Sequence, residues 1–470
     1  MPCPVSHHGM TSGRGCAQRA LGRFGRLFDL SPSYVSDEAL QALGKPGGLM
    51  HERGSAKSSD SGIPAAYTFF AQFVDHDITL DTTSQLNSTQ VQDAASLPNL
   101  RSPNLDLDCV YAFGPEASPY LYDGTGRLLV GNAQNPNDVA RVVTGEMSGN
   151  VEIGRALIGD PRNDENLFVS QLQFAFHLFH NRLMDNGNRR FEEVQRQARF
   201  HYQYIVLHDF LRRVCDPSVY RFAIERLYRR EPPLFYSRDE NGDLPMPVEF
   251  SVAAYRFGHS LVRSAYKPNT KQKTIGLFDE QFGTLGFSAV PEKLTVEWKF
   301  LFEKGTTNRS RKIDELLTDE LLHLPGPVVE DPDELNHSLP FRNLVRGRSL
   351  GLPSGQDVAR QIADTDYPVE SIDLKLESVH GWKGLPPAIR EEIRETTPLF
   401  FYILRESNVV HKGAHLGPVG SAILMEVFSG VLSLCTDSFL SERGWSPSEE
   451  VVGTDHRLTL ADVLRYVGRY

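Results

Sequence analysis

The sequence predicts a mainly α-helical fold with few, short strands. Three observations carry that expectation. Helical patterns alternate with long loops from Ile63 onward. Strand-like alternation is scarce. The segment 166–186, "NLFVSQLQFAFHLFHNRLMDN", is apolar nearly all round. A helix with no wide polar face belongs at the centre of a fold.

Taken in order, residues 1 to about 62 are rich in Gly, Ser and His, show little periodicity, and read as an N-terminal arm. The pair His7–His8 within it reads as solvated rather than metal-binding. Helices are expected over 65–80, 166–186, 191–215, 247–265, 386–405 and 417–434. The last of these, "LGPVGSAILMEVFSGVLSLC", comes nearest to a membrane span, but its Pro, its glycines and Glu426 make it a buried helix. The stretches 82–150 and 306–385 are Pro- and Asn-rich loops. Loops that long need a function or an anchor. There is no internal repeat. One large domain over 63–440 is expected, with 441–470 packed on it as a C-terminal extension.

Bulk properties exclude some classes. The net charge of −11 argues against a nonspecific nucleic-acid binder, which needs surplus Lys and Arg. Five cysteines without a CxxC make neither a disulfide framework nor a zinc site, so a mostly reduced protein, or one indifferent to redox, is expected. The start "MPCPVSHHGMTSGRGCAQRALGRFGRL" has no apolar h-region, so no Sec-type signal peptide is visible. That leaves the cytoplasm or a non-classical export route.

Five segments carry chemistry. In "AAYTFFAQFVDHDITLD" (65–81), Gln72, Asp75, His76 and Thr79 follow i, i+3, i+4, i+7 and share one helix face. Asp77 is turned about 100° from His76 and must point elsewhere. Polar groups beside Phe69, Phe70 and Phe73 need partners; the bland reading is a buried His satisfied by carboxylates. In "LRSPNLDLDCVY" (100–111), Ser102, Asn104, Asp106 and Asp108 alternate with Pro103, Leu105 and Leu107. In an extended segment the oxygens fall on one side, a donor set for a hard cation such as Ca²⁺ that Asp77 would complete. The bland reading is a solvated acidic turn.

In "GDPRNDENLFVSQLQFAFHLFHNRL" (159–183), Arg162 and Glu165 precede the most apolar helix. The macrodipole gives an Arg no benefit there, and pairing with Asp160 or Glu165 is the simple account. In "AAYRFGHSLVRSAY" (253–266), His259 follows Gly258 and stands three residues after Arg256. A helical Gly costs about 1 kcal/mol against Ala, tolerable where something flat and bulky approaches the backbone. In "FRNLVRGRSLGLPSG" (341–355), Asn343 is an amide with apolar flanks, and Arg346 and Arg348 supply charge. Such a loop receives an anion or is a surface turn.

In this order the motifs "QFVDHD", "SPNLDLD", "DPRNDE", "YRFGHS" and "NLVRGRSLGLP" resemble the animal-type haem peroxidases, the peroxidase–cyclooxygenase superfamily of myeloperoxidase and lactoperoxidase. The resemblance runs from about residue 62 to 440, and the short length and "LTLADVLRYVG" ending look more like its bacterial members. It implies a helical fold with haem b buried between central helices. By that resemblance His76 is the distal histidine, Gln72 its neighbour and Arg162 the distal arginine. His259 is the proximal iron ligand, and Asn343 accepts from its second ring nitrogen. Asp75 and Glu165 match carboxylates that esterify haem, and Arg256 and Arg346 match residues that hold its propionates. Asp77, Ser102, Asn104 through its carbonyl, Asp106 and Asp108 match the calcium site. Asn166 stands where myeloperoxidase has the methionine of its sulfonium link, so that bond is not expected.

The activity so implied is reduction of hydrogen peroxide and oxidation of halide, thiocyanate or small aromatic donors. His76 would act as base and then acid, and Arg162 would stabilise charge on the departing oxygen. A neutral Asn343 would push less than a carboxylate and leave the iron more easily reduced. Iodide or thiocyanate are the favoured anions, since chloride oxidation would want the sulfonium link. Two other readings stand beside this one. One is a fatty-acid (linoleate-type) dioxygenase of the same superfamily, which uses a Tyr three residues before the proximal His; here that position is Arg256, with Tyr255 one residue earlier. The other is a non-catalytic, calcium-stabilised helical binding protein. The sequence carries no sign of the physiological electron donor or the oligomeric state.

Overall fold

Apolar spacing and capping chemistry account for most of the helices. The structure, a computed structural model, describes residues 22–53, 59–82, 91–147, 150–185, 189–280, 284–303, 308–452 and 457–470. His7 and His8 lie outside them. The fold is mainly α with short strands, as the sequence predicts.

Helix α1 (Asp37–Gly44) starts where Ser36 Oγ accepts from Ala39 N, with Asp37 and Glu38 in the first turn. Helix α2 (Ala66–Ile78) buries every residue except Gln72. Helix α3 (Leu167–Asp185) is the central apolar helix, and Asn166 caps it by accepting from Phe168 N (3.1 Å) and Val169 N (3.0 Å). Helix α4 (Phe191–Ile205) runs into a π turn at Val206–Phe210 and ends as Leu211–Val214.

Three sequence expectations change. The helix expected over 247–265 is a π turn, Glu249–Ala253, followed by a 3₁₀ stretch, Ala254–Leu261. The first is a wider and the second a tighter variant of the α-helix, and a 3₁₀ run of eight residues is uncommonly long. The segment 341–355, expected as a loop, begins inside helix α5 (Leu339–Ser349), which Pro340 opens at its first turn. The helix expected over 386–405 is two, α6 (Pro387–Glu395) and α7 (Leu399–His411), because Pro398 disfavours helical geometry at the residue before it.

Helix α8 (Pro418–Leu434) is buried along its length. Its one acid, Glu426, accepts from Phe235 N (2.9 Å), Leu234 N (3.2 Å), Tyr236 N (3.2 Å) and the Tyr367 hydroxyl (2.7 Å), which is how a carboxylate is tolerated there. Among the described residues no helix is long and apolar enough to cross a membrane.

Strands tie distant parts of the chain together. Gly22–Gly25 lies between Pro98–Asn99, antiparallel, and Met246–Pro247, parallel. Asp60–Pro64 pairs with Arg309–Arg311, and Arg141–Met147 forms a hairpin with Asn150–Ala156. One hydrophobic core extends from Phe24 to Leu464. Within the expected N-terminal arm, residues 22–53 therefore belong to the packed body, through Phe24, Phe28, Leu40 and Leu43. The C-terminal helix α9 (Leu460–Tyr466) docks on the same core, with Leu460 N donating to Asp209 at 2.9 Å. Cys109 and Cys215 are buried free thiols, whereas Cys435 is disulfide-bonded and departs from the mostly reduced state expected.

Candidate active site

One face of α2 opens onto a cavity of about 300 Å³ lined by Gln72, Asp75 and His76. That is the face the i, i+3, i+4 spacing marks out. Asp77 points away, accepting from Leu107 N (3.2 Å) and Cys109 N (3.3 Å). The cavity also receives Arg162, Glu165 and, from the 3₁₀ stretch, Arg256, Gly258 and His259. A second cavity of about 220 Å³ shares Arg162, Arg256, His259, Leu339 and Arg342 with it and adds Asn343 and Arg346. Residues scattered from 72 to 346 thus converge.

His76 is buried, and burial first, then the Arg162 charge, lowers its pKa to about 4. It is a neutral imidazole at ordinary pH. Its Nδ1 meets Asn163 Oδ1 at 2.7 Å. Arg162 is fixed from behind. Its Nε and Nη2 donate to Asp160 (3.1 and 2.7 Å), and Nη2 also reaches the carbonyls of His76 (3.0 Å) and Thr79 (2.7 Å). Asp160 therefore, not Glu165, is its partner. Arg101 grips the same carboxylate at 2.6 Å. Burial opposes ionisation of Asp160, but Arg162 and Arg101 outweigh it and hold its carboxyl far below the usual range.

Gln72 joins Glu165 through its amide nitrogen and receives Asn166 Nδ2 at 3.1 Å. Burial pushes Glu165 up to about 7. Burial works the other way on Asp75 from its neighbours: Arg256 at 3.1 Å, with His76 and Arg162, wins and lowers its pKa.

His259 is also neutral, its pKa lowered to about 3 by burial and by Arg256. Asn343 contacts its Nδ1 at 2.9 Å, but through the amide nitrogen. The amide is thus the donor here, where it was expected to accept. A half-turn of the amide presents its oxygen instead and moves the ring proton to Nδ1. Because Gly258 sits in a 3₁₀ stretch, the α-helical Gly penalty does not apply to it. A Cβ there would touch only Ala71 Cβ, at 3.8 Å. Arg346 pairs with Asp81 at 2.8 Å.

The 102–108 segment is not extended. Leu105 and Leu107 have φ of 53° and 61°, so the chain folds back on itself, and the acidic side is buried along with the leucines. Ser102 N donates to Asp108 Oδ2 (3.2 Å) and Asn104 N to Ser102 Oγ (3.3 Å). Burial and the neighbouring Asp108 carboxylate raise the Asp77 pKa. Among the described residues no three His, Cys, Asp or Glu side chains are grouped closely enough to hold a metal ion.

Sequence reasoning missed Asn163, Gln173 and His177, which stand behind His76, and Arg342, which lines both cavities. Gln173 and His177 are four apart on the most apolar helix of the chain and fully buried. Buried polar pairs at that spacing demand partners, so the signal was present.

The sequence model of the family described as animal haem peroxidase matches residues 94–364. That span holds Arg162, His259 and Asn343 and leaves out Gln72 and His76. A "Peroxidase-like protein" of Margaritifera margaritifera is 26% identical over 420 residues, covering 72% of this chain and 51% of that protein. The chain thus spans about half the length of this curated relative. Peroxidase A from Dictyostelium discoideum superposes with a TM-score of 0.58 at 16% identity, covering 96% of this chain and 94% of the other. The fatty acid alpha-dioxygenase of Oryza sativa gives 0.55 at 16% identity, covering 95% and 79%. That of Arabidopsis thaliana gives 0.55 at 14%, covering 94% and 77%.

Proposed function

The chain belongs to the animal haem peroxidase family, and from that premise we propose that it is a haem-dependent peroxidase acting on hydrogen peroxide, with His259 holding the haem and His76 handling the proton. The observation that carries this is the pair of neutral imidazoles lining one cavity, with Arg162 held beside His76 and Asn343 behind His259.

The residues present fit a haem. His259 is neutral, as a metal ligand must be, and a half-turn of the Asn343 amide would leave Nε2 available to hold the iron. The two cavities, which share five lining residues, would give room for a flat group, and Arg256, Arg342 and Arg346 line them where propionates would be received. Bound haem would supply the two-electron redox chemistry that cleaving a peroxide bond requires. His76 would take the proton from one peroxide oxygen and return it to the other. Arg162, locked by Asp160, would face the leaving oxygen without having to reorganise.

Asp75 and Glu165 both line the larger cavity and are the proposed ester-forming carboxylates; pigment that acid–acetone extracts freely after peroxide treatment would overturn that. Calcium at Asp77, Ser102, Asn104, Asp106 and Asp108 is supported by the burial of the acids and by the raised Asp77 pKa. Halide, thiocyanate or small aromatic donors are the proposed reductants.

The dioxygenase reading is favoured by the second fold likeness and opposed by Arg256, which stands three residues before His259 and is tied to Asp75. Oxygen uptake with linoleate against guaiacol oxidation with peroxide separates the two. The central test is a pair of variants. His259→Ala should lose the Soret band. His76→Ala should keep it and lose roughly 10²–10⁴-fold in peroxide turnover. A His259→Ala protein with unchanged spectrum and turnover would overturn the assignment.

A further inference from the structure

Behind His76 runs a line of buried polar side chains that the proposed function does not use. His76 Nδ1 meets Asn163 Oδ1 at 2.7 Å, and Asn163 Nδ2 donates to Gln173 Oε1 at 2.7 Å. Gln173 Nε2 donates to the Cys109 carbonyl at 3.1 Å and contacts His177 Nε2 at 2.8 Å. His177 Nδ1 in turn meets the Leu129 carbonyl at 3.1 Å. Asn163, Gln173, His177 and Cys109 are all fully buried, so solvent offers no alternative partner.

Donor and acceptor roles along this line leave no free choice. A carbonyl oxygen can only accept. The Leu129 carbonyl therefore puts the His177 proton on Nδ1, which makes His177 Nε2 an acceptor. The Cys109 carbonyl and His177 Nε2 then both require donors, and only the Gln173 amide nitrogen has two hydrogens to give. Its oxygen must point to Asn163 and accept from Asn163 Nδ2. Asn163 is left with its oxygen toward His76, so the His76 proton sits on Nδ1 and the Nε2 lone pair is free.

We propose that Asn163 and Gln173 are positioning residues that hold His76 in its Nδ1-protonated tautomer, anchored on the carbonyls of Cys109 and Leu129, so that Nε2 is a ready base. The inference rests on the reading of His76 as the proton-transfer group. It also adds a mechanical link. Cys109, whose carbonyl fixes the relay, donates its N–H to Asp77, the residue after His76, at 3.3 Å. The fold of the 102–109 segment therefore sets both the position and the tautomer of the base.

The test uses full-length protein labelled with ¹⁵N-histidine, in the diamagnetic ferrous carbon monoxide form where haem is bound and directly where it is not. Long-range ¹H–¹⁵N spectra, with His76→Gln for assignment, should show the Nδ1-protonated pattern. Asn163→Leu and Gln173→Leu should lose it. In ferric protein, cyanide association, in which the incoming acid gives its proton to Nε2, should slow about 10–100-fold in Asn163→Leu with haem content unchanged. A wild-type His76 protonated on Nε2, or a tautomer and cyanide rate untouched by Asn163→Leu, overturns the relay; the wild-type spectrum decides even where a variant does not fold. Failure of the peroxidase reading looks different. It shows as wild-type protein without peroxide turnover while the tautomer pattern is as predicted.

Discussion

Asn343 approaches His259 with its amide nitrogen, 2.9 Å from Nδ1. In this orientation the ring proton belongs on Nε2. If His259 is the iron ligand, as proposed, Nε2 would have to be free and the Asn343 oxygen would face Nδ1–H, which the amide allows because both of its ends form hydrogen bonds.

A carboxylate at 343 could only accept from Nδ1–H. Asn343→Asp should make the ring a stronger donor and lower the ferric/ferrous midpoint potential, read by spectroelectrochemical titration. Asn343→Leu should weaken haem retention or activity by about 10–100-fold, read as Soret absorbance per chain.

Asp160 is fully buried between Arg101 and Arg162. Removing its charge strands two guanidinium groups, so Asp160→Asn should destabilise by about 3–5 kcal/mol in urea unfolding and lower peroxide turnover through a loosened Arg162. Its folded pKa is depressed, so the stability it contributes is present above the ordinary carboxylate range and is lost as pH falls through the folded value.

Glu406 titrates in the opposite direction. Burial pushes it from 4.5 up to about 8. The folded chain keeps a proton that the unfolded chain releases, so its contribution is complete below 4.5 and declines as pH rises through 8. The slope approaches about 1.4 kcal/mol per pH unit in that window. Glu406→Gln, which keeps an acceptor for Val419 N and Gly420 N, should flatten this part of the stability–pH curve. Unchanged curvature would mean the acid is ionised in the fold.

Gly159 holds the 102–109 segment against the Arg162 turn. A Cβ there would lie 2.6 Å from the carbonyl oxygens of both Asp108 and Cys109. Gly159→Ala should cost about 1–3 kcal/mol and disturb the His76 tautomer from a distance, because it displaces the carbonyl that anchors Gln173.

Calcium, if it binds the 102–108 segment and Asp77, should raise the unfolding free energy by about 2.7 kcal/mol at a hundredfold excess over its dissociation constant. Chelator should reverse this, and Asp106→Asn should abolish it. A thermal midpoint indifferent to both calcium and chelator would leave the acids to be explained by protonation alone.

Local rules made much of this legible. The face of α2, the opposite aim of Asp77, the centrality of α3 and the burial of α8 all follow from side-chain periodicity, which the sequence states directly. Motif order was enough to place Arg162, His259 and Asn343 in one family's pattern. What it could not show was the company they keep. Pro398 splitting one helix into two was readable in hindsight. The π-to-3₁₀ passage before His259 was not, since hydrophobic spacing does not distinguish hydrogen-bond registers a residue apart.

By itself the sequence determined which residue types face one another along each helix, because that depends on the 3.6-residue turn and on nothing distant. Only the tertiary structure decided that Asp160 and not Glu165 restrains Arg162, that Asn343 meets His259 at Nδ1, and that a glutamine and a carbonyl from separate segments set the proton on His76. Those outcomes hinge on hydrogen bonds closed between residues up to 87 positions apart. Their direction is fixed by which buried oxygen already has a donor, a question no local pattern poses.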